Sequence, residues 1–196
     1  LVETGTLTIL DDGTGNVYLD DNKTGTPDAP EFCAPPAGLT ETFLKSRLIV
    51  ASYHSAFYRA ENGGYLISGE NATPTGTNTT LPLLVSPANG YNFTGDLIDV
   101  AAGGYPAQHA LMTTDGLWVW GNESQLISTA LTAGKAFEKV VLPSGLDPAQ
   151  VKFISGGEGG LALVMKDGTV WFNSSKQDSN LGHGSSVDKT KFQQVW

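Results

Sequence analysis

Thr114-Asp115-Gly116-Leu117-Trp118-Val119-Trp120-Gly121 decides the fold, because the same pattern is written on either side of it. Asn62-Gly63-Gly64-Tyr65-Leu66-Ile67-Ser68-Gly69 precedes it, and Lys166-Asp167-Gly168-Thr169-Val170-Trp171-Phe172-Asn173 follows it. Gly64, Gly116 and Gly168 stand 52 residues apart. A glycine turn that feeds an apolar strand at constant spacing marks one structural unit used at least three times, as in solenoids and propellers.

Working outward, each unit opens on an apolar strand: Leu48–Ala51, Leu97–Ala101 and Val151–Ser155. After a turn of small residues comes an inner strand, at Ser55–Tyr58, Ala110–Thr113 and Leu161–Met165. The glycine turn leads to a third strand, and a polar loop returns to a fourth, such as Leu81–Val85 or Phe137–Leu142. Four short antiparallel strands per unit predict the blade of a β-propeller. The expected architecture is all-β: three four-stranded blades over about 47–96, 97–150 and 151–196, in an incomplete ring. Residues 1–46 read as an irregular N-terminal segment with one hairpin, Gly5–Leu10 against Asn16–Leu19.

The unit resembles the regulator of chromosome condensation repeat. The resemblance rests on Val100-Ala101-Ala102-Gly103-Gly104-Tyr105, Ala110-Leu111, Asp115-Gly116 and Trp120-Gly121-Asn122 in the second unit. Tyr53-His54-Ser55-Ala56 in the first unit carries it, as do Ser155-Gly156-Gly157, Asp167-Gly168 and Asn180-Leu181-Gly182-His183-Gly184 in the third. It implies a ring that is usually sevenfold, with further blades in a parent chain or in other subunits. It also implies binding of partners through loops on one face, and structural, turn-bonding roles for His54 and His183. The first unit departs from the repeat at Ser68-Gly69, the third at Phe172-Asn173, and Pro106 interrupts the turn before His109.

Composition narrows the function classes. Hydrophobic residues make up 40% of the 196 and charged ones 16%, a folded rather than disordered balance. The net charge of −9, with basic residues scattered, disfavours nucleic acid. Cys33 is the sole cysteine, so no intrachain disulfide framework exists. No apolar run is long enough for a membrane span. Leu1 rather than Met at the start fits a processed chain or an internal piece of a longer one. Asn-x-Ser/Thr at Asn22, Asn71, Asn78, Asn92, Asn122 and Asn173 reads either as glycosylation acceptors or as chance in a Thr-rich chain.

Asp20, Asn22, Thr24, Asp28 and Glu31 have the spacing of a calcium loop around Gly25, and calcium is the one ion the sequence suggests. Pro27 and the absence of flanking helical patterns equally suit an acidic linker. His54, His109 and His183 fall in different units without a shared carboxylate or cysteine. No Gly-x-Ser-x-Gly elbow is present, and Gly156–Gly160 lacks the Lys-Ser/Thr of a phosphate loop.

The expectation is a non-enzymatic binding module, extracellular or at a cell surface, of adhesin or surface-appendage type, recognising a protein or a glycan. The alternatives are a secreted enzyme inhibitor, such as the family's β-lactamase inhibitor, a guanine-nucleotide-exchange-like scaffold, and a hydrolase acting through His109 or Asp115. Contact is expected on the loops Asn71–Thr80, Asn89–Asp96, Glu123–Lys135 and Ser174–Ser186. Tyr91, Phe93 and Tyr105 are the candidate binding residues, with packing beneath their own loop as the other reading of Tyr91 and Phe93.

Overall fold

A computed structural model describes residues 8–11, 17–20, 49–60, 63–122, 126–127, 131–174 and 191–195. The chain divides into two units, one of Leu1–Leu48 with Arg59–Asn62, the other of Ile49–Tyr58 with Gly63–Trp196. In the first unit, β1 (Thr8–Asp11) pairs antiparallel with β2 (Val17–Asp20), Ile9 opposite Leu19. This is the expected hairpin, with β1 starting three residues later than expected and β2 one. Asp20 closes β2; Asn22, Thr24, Asp28, Glu31, Cys33 and His183 lie outside the described residues.

The second unit holds three four-stranded antiparallel sheets. The first blade runs β3 (Ile49–Ala51), β4 (Ser55–Arg59), β5 (Tyr65–Gly69) and β6 (Thr79–Leu84). The second runs β7 (Leu97–Gly103), β8 (Gln108–Thr113), β9 (Gly116–Gly121) and β10 (Glu138–Lys139). The third runs β11 (Val151–Gly157), β12 (Gly160–Met165), β13 (Val170–Ser174) and β14 (Gln193–Gln194). Each blade is a meander in chain order. Single 3₁₀ turns at Pro87–Asn89 and Pro148–Gln150 lead into β7 and β11. Pro82 sits in β6, an edge strand, where its missing N–H costs no ladder bond.

Burial explains why the second blade is the centre of the unit. Every residue of β8 and β9 is buried, because a blade covers each of its faces. In β11 only Val151 and Ile154 are buried, and Phe153 is 41% exposed. Between the second and third blades the core is aliphatic, with Met112, Leu117, Val119, Leu126, Ile127, Leu161 and Leu163. Between the first and second it is aromatic: Trp120 lies 5.8 Å from Phe57 and 5.2 Å from His109 between ring centroids. Flat rings fill a wedge with much area and few rotamers.

The first strands of the second and third blades approach closely because their ends are glycine. A Cβ on Gly103 would stand 2.3 Å from the Gly157 carbonyl oxygen, and one on Gly156 would stand 3.1 Å from the Ala101 Cβ. The blades are also clasped by polar groups. Asp99 Oδ2 accepts from Ile154 N at 3.0 Å, and Glu70 Oε2 accepts from Ala107 N at 3.1 Å.

The regular spacing hides a difference in the glycine turns. Thr113 faces Gly116 across the two-residue turn Thr114-Asp115, so Gly116 already belongs to β9. In the third blade Met165 N donates to the Thr169 carbonyl, enclosing three residues, and Gly168 takes the left-handed conformation at φ +93°. Gly116 and Gly168 are therefore one step out of structural register. The expected fourth strand Phe137–Leu142 shrinks to Glu138–Lys139, opposite Val119 and Trp118. Phe137 instead turns its ring onto Trp118, Trp120 and Tyr91.

Candidate functional site

Antiparallel meanders bring the loops between the first and second strands of all three blades to one end. These loops are Tyr53-His54, closed by the hydrogen bond from Ser52 N to the Ser55 carbonyl, Gly104–Ala107 and Glu158-Gly159. Ser52 Oγ donates to the Gly104 carbonyl at 3.2 Å and ties the first two together. Tyr53 is 79% exposed and Tyr105 59%, and their ring centroids are 5.9 Å apart. His54 stands edge-on to Tyr105 at 5.0 Å, half exposed, with Nδ1 3.9 Å from Glu70 Oε2. Beside the tyrosines opens a hollow of about 670 Å³ that reaches Gly103, Gly156 and Glu158. A second, of about 540 Å³, lies between His54, Glu70 and Thr79.

Of the three predicted contact residues, the structure keeps Tyr105 at this surface. Tyr91 is corrected. It is wholly buried, its hydroxyl donates to the Ala72 carbonyl, and its ring packs on Trp120 and Phe137 at 5.4 and 5.5 Å. Burial pushes the phenol up from its ordinary value, as expected for a group that donates inside a core. Phe93 is half-buried and lies 6.4 Å from Trp118, below the loop that carries it. Burial thus removes Tyr91 from the contact surface, while Phe93 packs on Trp118 and stays part-exposed. Tyr53, missed as a contact residue, was absorbed into the repeat pattern Tyr53-His54-Ser55-Ala56; its place in a two-residue loop is the signal that exposes it.

The histidines also separate. His54 is a surface residue and not the turn-bonding one expected. His109 is completely buried, with Nε2 3.0 Å from the Glu70 carbonyl and Phe57 edge-on at 5.6 Å. Burial holds its pKa down to about 4, the bond to Glu70 pulling the other way, so the ring is neutral near pH 7. Asp115 lies at the opposite end, beside Lys139, Val141 and Pro148. His109 and Asp115 are thus not brought together. Among the described residues no group of three His, Cys, Asp or Glu side chains could hold a metal ion. No helix of the described residues is long and apolar enough to cross a membrane. Asn71 and Asn173 are buried, and Asn71 Nδ2 donates to the Ala107 carbonyl at 2.9 Å, so neither amide is presented for glycosylation.

No family model and no curated protein sequence matches the chain. Solved structures do. Human WBSCR16 superposes with a TM-score of 0.61 at 17% identity, over 97% of this chain and 51% of its own. Prp20p from Saccharomyces cerevisiae, described with its binding to Gsp1p and histones, gives 0.60 at 17%, over 98% of this chain and 48% of its own. Yeast RCC1 (Prp20) bound to Kap60 gives 0.57 at 17% identity, over 98% and 47%. The fold is part of an RCC1-type β-propeller. The chain spans about half the length of these RCC1-type structures, and at this identity the likeness concerns the fold. The neighbours also correct the extracellular or cell-surface location. Prp20p is described with histones, proteins of the cell interior. Acidic charge and Thr/Asn richness carry no address and give that location no support.

Proposed function

We propose that this chain is a non-enzymatic binding module that engages a protein partner through the end carrying Tyr53, His54 and Tyr105. One observation carries the reading: two large aromatic side chains from different blades stand exposed and in contact at the mouth of a hollow. Exposed aromatics gathered at one place mark interaction surfaces, because their area is desolvated at little entropic cost. The RCC1-type neighbours support a protein as the partner, since their descriptions name Gsp1p, histones and Kap60. A glycan, the other expected ligand, has no such support. The buried, neutral His109 and the distant Asp115 favour binding over hydrolysis.

Photo-crosslinking tests the reading. A benzophenone side chain at position 105 should capture a discrete protein, and the same group at position 141, exposed at the opposite end, should not. The double variant Tyr53→Ala/Tyr105→Ala should abolish binding of that protein with an unchanged melting temperature. Equal capture from both ends, or full binding by the double variant, overturns it. A guanine-nucleotide-exchange-like scaffold is the second reading, favoured by the description of Prp20p with Gsp1p. It requires accelerated nucleotide release from a small GTPase.

A further inference from the structure

We propose that Tyr53 and Tyr105 form a site of oxidative cross-linking, where a dityrosine bridge staples the first blade to the second. The chemistry is independent of any partner bound at that end. The repeat itself builds the pair. Tyr53 and Tyr105 stand 52 residues apart, one period of the repeat, and the third unit carries Gly157 at the same interval. Successive blades set equivalent loops side by side, and of the three units the first two place a phenol there.

The two rings are held within reach of each other. The bond from Ser52 Oγ to the Gly104 carbonyl, 3.2 Å, pins the residues that directly precede the two tyrosines. The ring centroids are 5.9 Å apart, with the planes inclined at 46°. His54 packs edge-on against both rings, 5.9 Å from Tyr53 and 5.0 Å from Tyr105. Exposure of 79% and 59% leaves the last movement free. Exposed side chains change rotamer on the picosecond to nanosecond scale, which brings the carbons ortho to the two hydroxyls into contact. Tyr65 and Tyr91 are buried, out of reach of an oxidant in solution, and Tyr58 is half-buried.

The oxidant is of the haem-peroxidase class, with hydrogen peroxide as the electron acceptor. Each phenol gives up one electron and its proton, and the two phenoxyl radicals join by a carbon–carbon bond between ortho carbons. The hydrogen on each of those carbons moves to oxygen as a proton, which restores both aromatic rings and both hydroxyls. The two electrons and two protons released reduce one peroxide to two waters. Neighbouring radicals on one molecule couple ahead of radicals on different molecules, because proximity replaces a bimolecular encounter. The bridge then closes a long loop in the unfolded chain and favours the folded one.

The test treats the full chain, dilute, with a haem peroxidase and hydrogen peroxide. The expected product is a monomer lighter by two hydrogen atoms, with dityrosine fluorescence and one main joined peptide pair, containing Tyr53 and Tyr105. Its melting temperature should rise by several degrees. Tyr53→Phe and Tyr105→Phe, both at exposed positions, should keep the wild-type circular dichroism and each lose the bridged monomer. In urea, where the buried tyrosines are freed, selectivity for this pair should disappear. Bridging mainly through another tyrosine, or covalent dimers in place of the bridged monomer, overturns the proposal. So does a wild-type yield from either variant, equal selectivity in urea, or a bridge that leaves the melting temperature unchanged.

Discussion

The carbonyl oxygen of Glu70 lies 3.0 Å from Nε2 of His109, joining the residue just after one blade's third strand to the second strand of the next. The ring is sealed between Phe57 and Trp120, and among the described residues Nδ1 has no hydrogen-bond partner. Protonation there would place a charge in an aromatic core.

That arrangement predicts acid sensitivity. The folded pKa is about 4, below the ordinary 6.5. Above pH 6.5 both folded and unfolded histidine are neutral, and the group contributes nothing to the slope. As pH falls from 6.5 toward 4 the unfolded chain takes up the proton first, and stability drops by up to about 1.4 kcal/mol per pH unit. Urea unfolding at pH 7 and pH 5 should show this drop in the wild type. In His109→Gln, whose amide can still donate to Glu70, this part of the drop should vanish.

Trp120 and Tyr91 separate core from contact surface. Trp120→Ala removes the ring that Phe57, Tyr91, His109 and Phe137 pack against, and should cost about 3 to 5 kcal/mol in denaturant unfolding. Tyr91→Phe keeps the packing and loses one donor to the Ala72 carbonyl. Trp120 Nε1 also donates there at 3.2 Å, so the acceptor stays satisfied and the cost should be only about 1 kcal/mol. A wild-type melting curve for Tyr91→Ala would contradict its burial.

The blades were legible in the sequence because a strand's alternation and a glycine turn are local signals. Thr114 to Gly121 needs no knowledge of its neighbours to read as a turn and a strand. Tyr91 was not legible. Beside the Asn89-Gly90 turn it looks like a surface residue, and its burial is supplied by Trp120 and Phe137 from the following blade. Phe137–Leu142 misled for a related reason: apolar residues that fill a wedge between blades look like a strand that continues a ladder. The site was half visible, since Tyr105 lies in an obvious loop while Tyr53 sits in a turn of only two residues.

The clasp between the second and third blades predicts a different kind of loss. Asp99 Oδ2 accepts from Ile154 N at 3.0 Å, while Oδ1 accepts from Val100 N at 2.9 Å. Asp99→Asn leaves one oxygen for two donors and turns an NH₂ toward the other. It should cost about 1.5 to 3 kcal/mol. Hydrogen exchange should show the loosening first at β11, with the amides of β4 and β5 unchanged.

Two glycines show how space and backbone conformation act separately. Gly145 has φ +97°, and a Cβ there would meet nothing within 4 Å. Gly145→Ala therefore carries conformational strain alone, about 1 to 2 kcal/mol. Gly69 has a similar φ, +106°, but its Cβ would stand 2.1 Å from the His54 carbonyl oxygen and 2.6 Å from the Ser55 Cα. Backbone on both sides cannot yield without parting β4 from β5. Gly69→Ala should cost several kcal/mol more than Gly145→Ala and should disturb the adjoining loop of Tyr53 and His54. Thermal melts rank the two variants, and a smaller loss at Gly69 than at Gly145 would show that this end of the first blade is looser than the contact distances require.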